Sequence, residues 1–298
     1  MSSTIKKKTN QLQRFLFEDI DIRGEIVQLD DSWTEILSHQ SYPEIIQQYL
    51  GEMMAATVLL AATLKIDGSL SIQASGTGSL NLMITECRNN LSIRAIAKYK
   101  KDDFQGSDNK QEFDLSSLLG DASLVITIEQ TNGQRYQGIV AIKGNSIASM
   151  LENHLLQSEQ LKTKIVLACN ELRTAGLLLQ ELPHQSEEHL LQWQEVALLA
   201  DTLTTDELLS LDSEQITYRL FNQHDIRQFD PEPVFFKCSC SQQKVSNMLL
   251  SLDYKEAQKI IHQSEFIEVA CEFCNHLYRF DELTISKIFS KKQKPTYH

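Results

Sequence analysis

No apolar run in this sequence of 298 residues has the length of a membrane span. The longest, AATVLLAATL at 55–64, lies between Glu52 and Lys65 and reads as part of a buried helix. The N-terminal stretch MSSTIKKKTNQLQRFLFED carries early lysines but no signal-type apolar core, because Arg14, Glu18 and Asp19 interrupt it. Both absences point to a cytoplasmic protein with no membrane partner. Clustered basic charge is missing as well, so no nucleic-acid partner is expected. Spacing picks out no Ser/His/Asp set and no paired carboxylates. The GTGS stretch at 76–79 lacks the third glycine and following helix of a dinucleotide fingerprint, and reads as a turn. No enzyme is expected from these absences.

Cysteine is scarce, with six in the whole chain, yet four of them fall after residue 237. In a reducing compartment, clustered thiols of this kind bind metal or carry redox chemistry rather than form permanent staples. Charge is equally uneven. The net charge is −12, and residues 176–236 hold twelve acidic and only two basic residues, so most of the imbalance sits in one fifth of the chain. Apolar residues make up 42%, enough for a globular chain, and the length suits more than one domain.

The patterning divides the chain into three. Residues 1–182 read as an α+β core domain of antiparallel sheets with packed helices. Pro43 opens a long helix over about 43–64. Three alternating runs follow, marked by Leu70, Ile72 and Ala74, by Leu80, Leu82 and Ile84, and by Leu91, Ile93 and Ala95. A second hairpin turns at Asn132-Gly133, a helix starts at Asn145 or Ser146, and two strands near KTKIVLACN and TAGLLLQEL close the domain. Residues 183–236 read as an acidic helical linker: one helix starts near Ser186 and Glu187, and capping boxes Thr204/Glu207 and Asp212/Gln215 open two more. Their narrow apolar stripes, with Leu190, Trp193, Val196, Leu199, Leu208 and Leu209, must pack on another domain, because helices this short and this acidic are only marginally stable alone. Residues 237–298 form a small C-terminal unit with an Asp253/Glu256 capping box. A unit of that size commonly needs a metal or disulfides.

Cys238-x-Cys240 and Cys271-x-x-Cys274 supply four thiolates at paired positions, the donor set of a tetrahedral zinc site. The second pair lies in a strand-turn context, EVACEFCNHLY, and Asn275 suits a left-handed turn residue. One Zn2+ per reduced chain is expected. Such a site often serves only as a staple, but two features point further. With Zn–S near 2.3 Å, tetrahedral sulfurs sit about 3.8 Å apart, so oxidation to disulfides needs little search. The metal contributes on the order of 10 kcal/mol, comparable with the whole stability of a small domain, so losing its ligands should unfold the unit and remove support from the acidic helices. The other candidates read as ordinary residues: Cys87 and Cys169 as packed side chains, Met53-Met54 as helix core, and His276 as a neighbour rather than a ligand. His39, His154, His184, His189, His224 and His262 show no metal spacing.

The segments FKCSCS, VACEFCNHLYRF, TYRLF, SEQL (158–161), RYQG (135–138) and RGEIVQLDDSW (23–33) resemble the heat-shock protein 33 family of redox-regulated bacterial chaperonins. The resemblance runs over nearly the whole chain. It implies a reduced, zinc-bound, inactive form and an oxidised, zinc-free, active form in which Cys238 pairs with Cys240, Cys271 pairs with Cys274 and the linker unfolds. It further implies an ATP-independent holdase for unfolding clients under oxidative stress, monomeric when reduced and homodimeric when active, which hands clients to ATP-dependent foldases. Two other readings are weaker on the residues themselves. A zinc-ribbon nucleic-acid-binding accessory protein needs clustered lysine and arginine, whereas residues 237–298 carry nine basic against seven acidic groups. A thiol oxidoreductase needs its CxxC at a helix start in a βαβ unit, which this one does not have.

Overall fold

The computed structural model describes residues 9–64, 67–104, 114–140, 142, 146–183, 188–251 and 254–292. The chain mixes helix and sheet and forms two compact units, residues 1–237 and 238–298.

In the first unit, strands β1 (Gln11–Phe17) and β2 (Ile22–Leu29) pair antiparallel and lead into helix α1 (Asp31–His39). The amide oxygen of Asn10 accepts the Asp30 and Ser32 N–H groups at 3.0 and 2.9 Å and so organises the start of α1. The expected long helix is α2 (Glu44–Leu64), which buries fifteen of its 21 residues. Such a helix needs a wall on every side. By length and composition it is also the one helix among the described residues apolar enough to cross a membrane, and its burial makes it a core helix. Met53 and Met54 are fully buried in it, as core.

One wall is the meander β3 (Gly68–Gly76), β4 (Leu80–Arg88) and β5 (Ser92–Tyr99), extended beyond helix α3 (Leu115–Leu119) by the hairpin β6 (Ala122–Gln130) and β7 (Arg135–Val140). The strand order is β5-β4-β3-β6-β7, and the hairpin turn places Gly133 at φ 86°. The inward face of β4 differs from the alternation expected for it. Met83, Thr85 and Cys87 are buried instead of Leu82 and Ile84, because the register shifts between Leu80 and Leu82. A bulge adds one residue and turns the following side chains over. At the β3–β4 turn, a Cβ on Gly76 or Gly78 would lie 2.1 or 2.2 Å from a carbonyl oxygen of α3, so the GTGS stretch is a close-packing turn.

The second wall follows helix α4 (Ile147–Ser158), which Ser146 caps. Strands β8 (Thr163–Cys169) and β9 (Thr174–Glu181) join β1 and β2 in the order β1-β2-β9-β8. Helix α2 touches strands of both sheets. Strand β9 is buried on both faces: Leu178 faces the α2 core, while Leu177 and Leu179 enter a second core on the far side.

That second core is completed by the acidic segment. Helices α5 (Glu188–Asp201), α6 (Thr205–Ser210) and α7 (Ser213–Phe221) contribute Val196, Ala200, Leu208, Ile216 and Phe221 to it. Both capping boxes, Thr204/Glu207 and Asp212/Gln215, are formed. Trp193, Leu199 and Leu209 are partly buried against this core, whereas Leu190 is exposed. Phe221 is 1% exposed and meets Phe17 edge-on at 5.1 Å. Three strands then follow where helix was expected: β10 (Ile226–Gln228), β11 (Glu232–Pro233) and β12 (Phe235–Phe236). The first two pair with β1, and β12 runs parallel to β5.

The second unit contains α8 (Gln242–Leu249), α9 (Tyr254–Ser264), the antiparallel pair β13 (Phe266–Ala270) and β14 (Leu277–Asp281), and α10 (Glu282–Lys292). Its core is small, built from Val245, Leu249, Ala257, Ile261, Ile267, Phe280, Ile285 and Phe289. The expected helix start at Ser186–Glu187 and the Asp253/Glu256 box involve positions outside the described residues.

Glu52 is a carboxyl buried in the middle of α2, where it accepts a 3.0 Å hydrogen bond from Gln48, and burial raises its pKa to about 7. Below about pH 4.5 the group is protonated in folded and unfolded chains alike. From there to about pH 7 the unfolded chain releases its proton while the folded one keeps it, so stability falls as pH rises through this window. Glu52→Gln removes that loss. Urea midpoints at pH 5 and pH 8 should show the variant gaining about 1–3 kcal/mol on the parent at the higher pH.

Candidate metal centre

The second unit brings its four cysteines together from two short pieces of chain. Cys238 and Cys240 lie in the extended lead-in to α8, whose first turn is fixed by the Ser241 hydroxyl accepting the Lys244 N–H at 3.3 Å. Cys271 and Cys274 lie in the turn between β13 and β14. The Cys271 N–H donates to the His276 carbonyl at 2.9 Å and the Asn275 N–H to the Cys271 carbonyl at 2.8 Å. Asn275 has φ 54°, the left-handed conformation that the turn requires and asparagine tolerates.

The four sulfurs all lie within 4.8 Å of one another. Cys238 and Cys271 are 3.6 Å apart and Cys240 and Cys274 3.5 Å. These separations are close to the ~3.8 Å edge of a four-sulfur tetrahedron with 2.3 Å bonds. The donor chemistry and the geometry therefore fit a single metal ion. Both short contacts run between the two motifs rather than within them.

The Cys240 N–H acts on the Cys238 thiol, the His276 N–H on the Cys274 thiol and the Tyr278 hydroxyl on the Cys240 thiol, each in the direction that lowers its pKa. Burial pushes the Cys238 and Cys274 thiols up. Burial acts on Cys240 in the same sense, but the Tyr278 hydroxyl and the neighbouring sulfurs outweigh it and bring this thiol below the ordinary range. The Cys240 thiol in turn pushes the Tyr278 hydroxyl up to about 12.

The remaining candidates stand apart from this cluster. The His276 ring packs edge-on against Tyr278 at 4.6 Å, and His276 lies outside the metal-binding group. Cys87 is fully buried in β4. Cys169 ends β8, where a Cβ on Gly51 would come within 2.2 Å of its sulfur. Burial raises both thiols to about 12, which keeps them protonated and unreactive. Among the described residues no histidine joins a metal-binding group.

Comparison with known proteins places these features in a context. The family model described as "Hsp33 protein" matches residues 10–281. Curated proteins named 33 kDa chaperonin are similar along nearly their whole length. The one from Nitrosococcus oceani is 41% identical over 96% of both chains, and that from Pseudomonas aeruginosa is 40% identical over 95% of both. The one from Chromobacterium violaceum is 43% identical over 94% of both. A crystal structure of the 33 kDa chaperonin from Thermotoga maritima superposes with a TM-score of 0.79, covering 95% of this chain and 99% of that one. At 18% identity it shares the fold.

The left-handed turn residue provides a test of the centre. Asn275→Gly should leave metal retention unchanged, whereas Asn275→Val should cost about 1–2 kcal/mol at this position and release the metal at lower chelator concentration. Titration of each metal-loaded variant with a chromogenic chelator measures the difference.

Proposed function

The chain belongs to the Hsp33 family, and on that footing we propose that it is a redox-regulated, ATP-independent chaperone that holds unfolding proteins under oxidative stress. The family's curated members carry the name chaperonin, which supports the chaperone function itself. The observation that carries the redox reading is the set of four sulfurs within 4.8 Å in a unit with only a small apolar core.

Cys238, Cys240, Cys271 and Cys274 would hold one zinc ion in the reduced chain. Bound there, the ion keeps four sulfurs as thiolates and joins the two ends of a unit too small to be stable on its core alone. A thiolate attacks peroxide and becomes a sulfenic acid, with hydroxide leaving. A second thiolate then attacks that sulfur, forms the S–S bond and displaces the second hydroxide. Each disulfide thus takes two electrons from a cysteine pair and, with two protons, turns one peroxide into two waters. The pairs Cys238–Cys240 and Cys271–Cys274 are those that the resemblance to the heat-shock protein 33 family implies. Two such disulfides leave no thiolate to bind metal.

The domain reading is part of the proposal: a core over 1–182, a releasable acidic segment over 183–236 and a switch over 237–298. The chain passes from β12 to Cys238 through Lys237 alone, and the Lys237 N–H donates to the Ile93 carbonyl at 3.0 Å. Release of the acidic segment would bare two apolar surfaces at once. One is its own stripe of Val196, Leu208, Ile216 and Phe221; the other is the sheet face of Phe15, Phe17, Leu177 and Leu179 that it covers. Clients would dock on such surfaces, the active protein would be a homodimer in the cytoplasm, and clients would pass to ATP-dependent foldases.

Light scattering from a thermally aggregating client tests this. The reduced, metal-loaded protein should leave aggregation unchanged, and protein treated with peroxide at mildly raised temperature should suppress it. About one zinc per chain should appear in a chelator assay together with loss of helical far-UV signal. Equal activity in both states with the metal retained would overturn the proposal.

A further inference from the structure

Asp30 stands at the N-cap of α1, where an aspartate ordinarily accepts a hydrogen bond from its own helix, yet its side chain makes no such bond. Asn10 does that work in its place. Both Asp30 carboxylate oxygens are turned instead to Arg173, which donates to them from Nε at 2.5 Å and from one terminal nitrogen at 2.7 Å. The other terminal nitrogen donates to the Leu209 carbonyl at 2.8 Å, in the last turn of α6. The turn that carries Arg173 is itself fixed from the core. The Asn170 side chain accepts the Leu172 and Arg173 N–H groups at 2.9 and 2.8 Å, and the fully buried Trp33 of α1 donates to the Asn170 carbonyl at 2.9 Å. Core contacts alone therefore aim the guanidinium at the place where α6 ends.

The last carbonyls of a helix have no partner within it and form the negative end of its dipole. In α6 they are met by two core side chains. Arg173 takes Leu209, while Gln28, only 2% exposed, takes Leu208 at 3.3 Å and Leu211 at 2.7 Å. Asp212 follows at once and caps α7, so this point lies in the middle of the acidic segment. Arg173 is the charged member of the pair, and it keeps Asp30 as its partner when α6 leaves, so release strands no unpaired charge in the core. The contact can break and form again. We propose that Arg173 is a positioning residue of the switch, whose guanidinium, aimed by Asp30, pins the end of α6 and keeps the acidic segment over β9. This rests on the reading of that segment as releasable.

The test uses the full reduced chain and amide hydrogen exchange read by mass spectrometry. In Arg173→Ala, exchange within α5, α6 and α7 should rise about tenfold, the worth of one charge-assisted hydrogen bond, while exchange within α2 stays at the parent rate. Arg173→Lys keeps the charge but not the fork that serves Asp30 and Leu209 together, so its rates should fall between those of the parent and the alanine variant. A merely structural role would raise exchange in α2 along with the acidic helices. A rise confined to α5–α7, partly rescued by lysine, supports the proposal; no rise, an equal rise in α2, or a lysine variant no better than alanine overturns it. If Arg173→Ala does not fold, Asp30→Asn decides, since it leaves the guanidinium and removes what aims it: a rise confined to α5–α7 supports the pin, and any other result overturns it. The parent chain is also treated with peroxide at mildly raised temperature. If its α5–α7 exchange then stays as slow as in the reduced protein, the reading of the segment as releasable fails, a separate outcome from the loss of the pin.

Discussion

Strand β9 has no face to spare. Leu178 is packed against the long central helix, while Leu177 and Leu179 are packed against the acidic helices on the other side, all three fully buried. A strand covered on both faces is an almost continuous apolar run, as TAGLLLQE is. It commits the sheet to two coverings, and the second can only come from the segment richest in negative charge. Burying each large apolar side chain there contributes about 1.5–3 kcal/mol, which opposes the mutual repulsion of the acidic groups.

The polar contacts over this covering are few and specific. Gln28 donates to the Leu211 carbonyl at 2.7 Å, and Arg173 donates to the Leu209 carbonyl at 2.8 Å while gripping Asp30 with two further bonds. Lys164 reaches Asp201 at 2.5 Å and Arg219 reaches Glu207 at 2.5 Å. The last two involve exposed carboxylates or guanidinium and add little beyond direction. The covering is therefore held by apolar fit and by carbonyls at the end of α6, while its charge stays in water.

The sequence made legible whatever is encoded locally. Pro43 marked the long helix, Asn132-Gly133 the second hairpin and Thr204/Glu207 the capping box, because each is set by a handful of adjacent residues. The four cysteines were legible for the same reason: paired spacing is a local signal of shared coordination. What escaped was decided at a distance. A bulge after Leu80 turned β4 over, so alternation alone selected Leu82 and Ile84 where Met83 and Cys87 are buried. The stretch after Asp225, read as the end of a helical linker, contains Pro231 and Pro233, and pairing with the edges of β1 and β5 makes strands of it. Glu52 sits in an apolar helix without any mark of its burial until the second sheet closes over it.

Those late strands also bear on how the molecule avoids its own kind. An exposed sheet edge is a row of unpaired donors and acceptors on which another chain can grow. Here a single stretch, 226–236, closes one edge of each sheet with strands of only two or three residues, one of them containing a proline. Strands that short offer a poor template for a further strand. The same residues guard both sheets, so fibre-like growth at these two edges is blocked or permitted by one event rather than two.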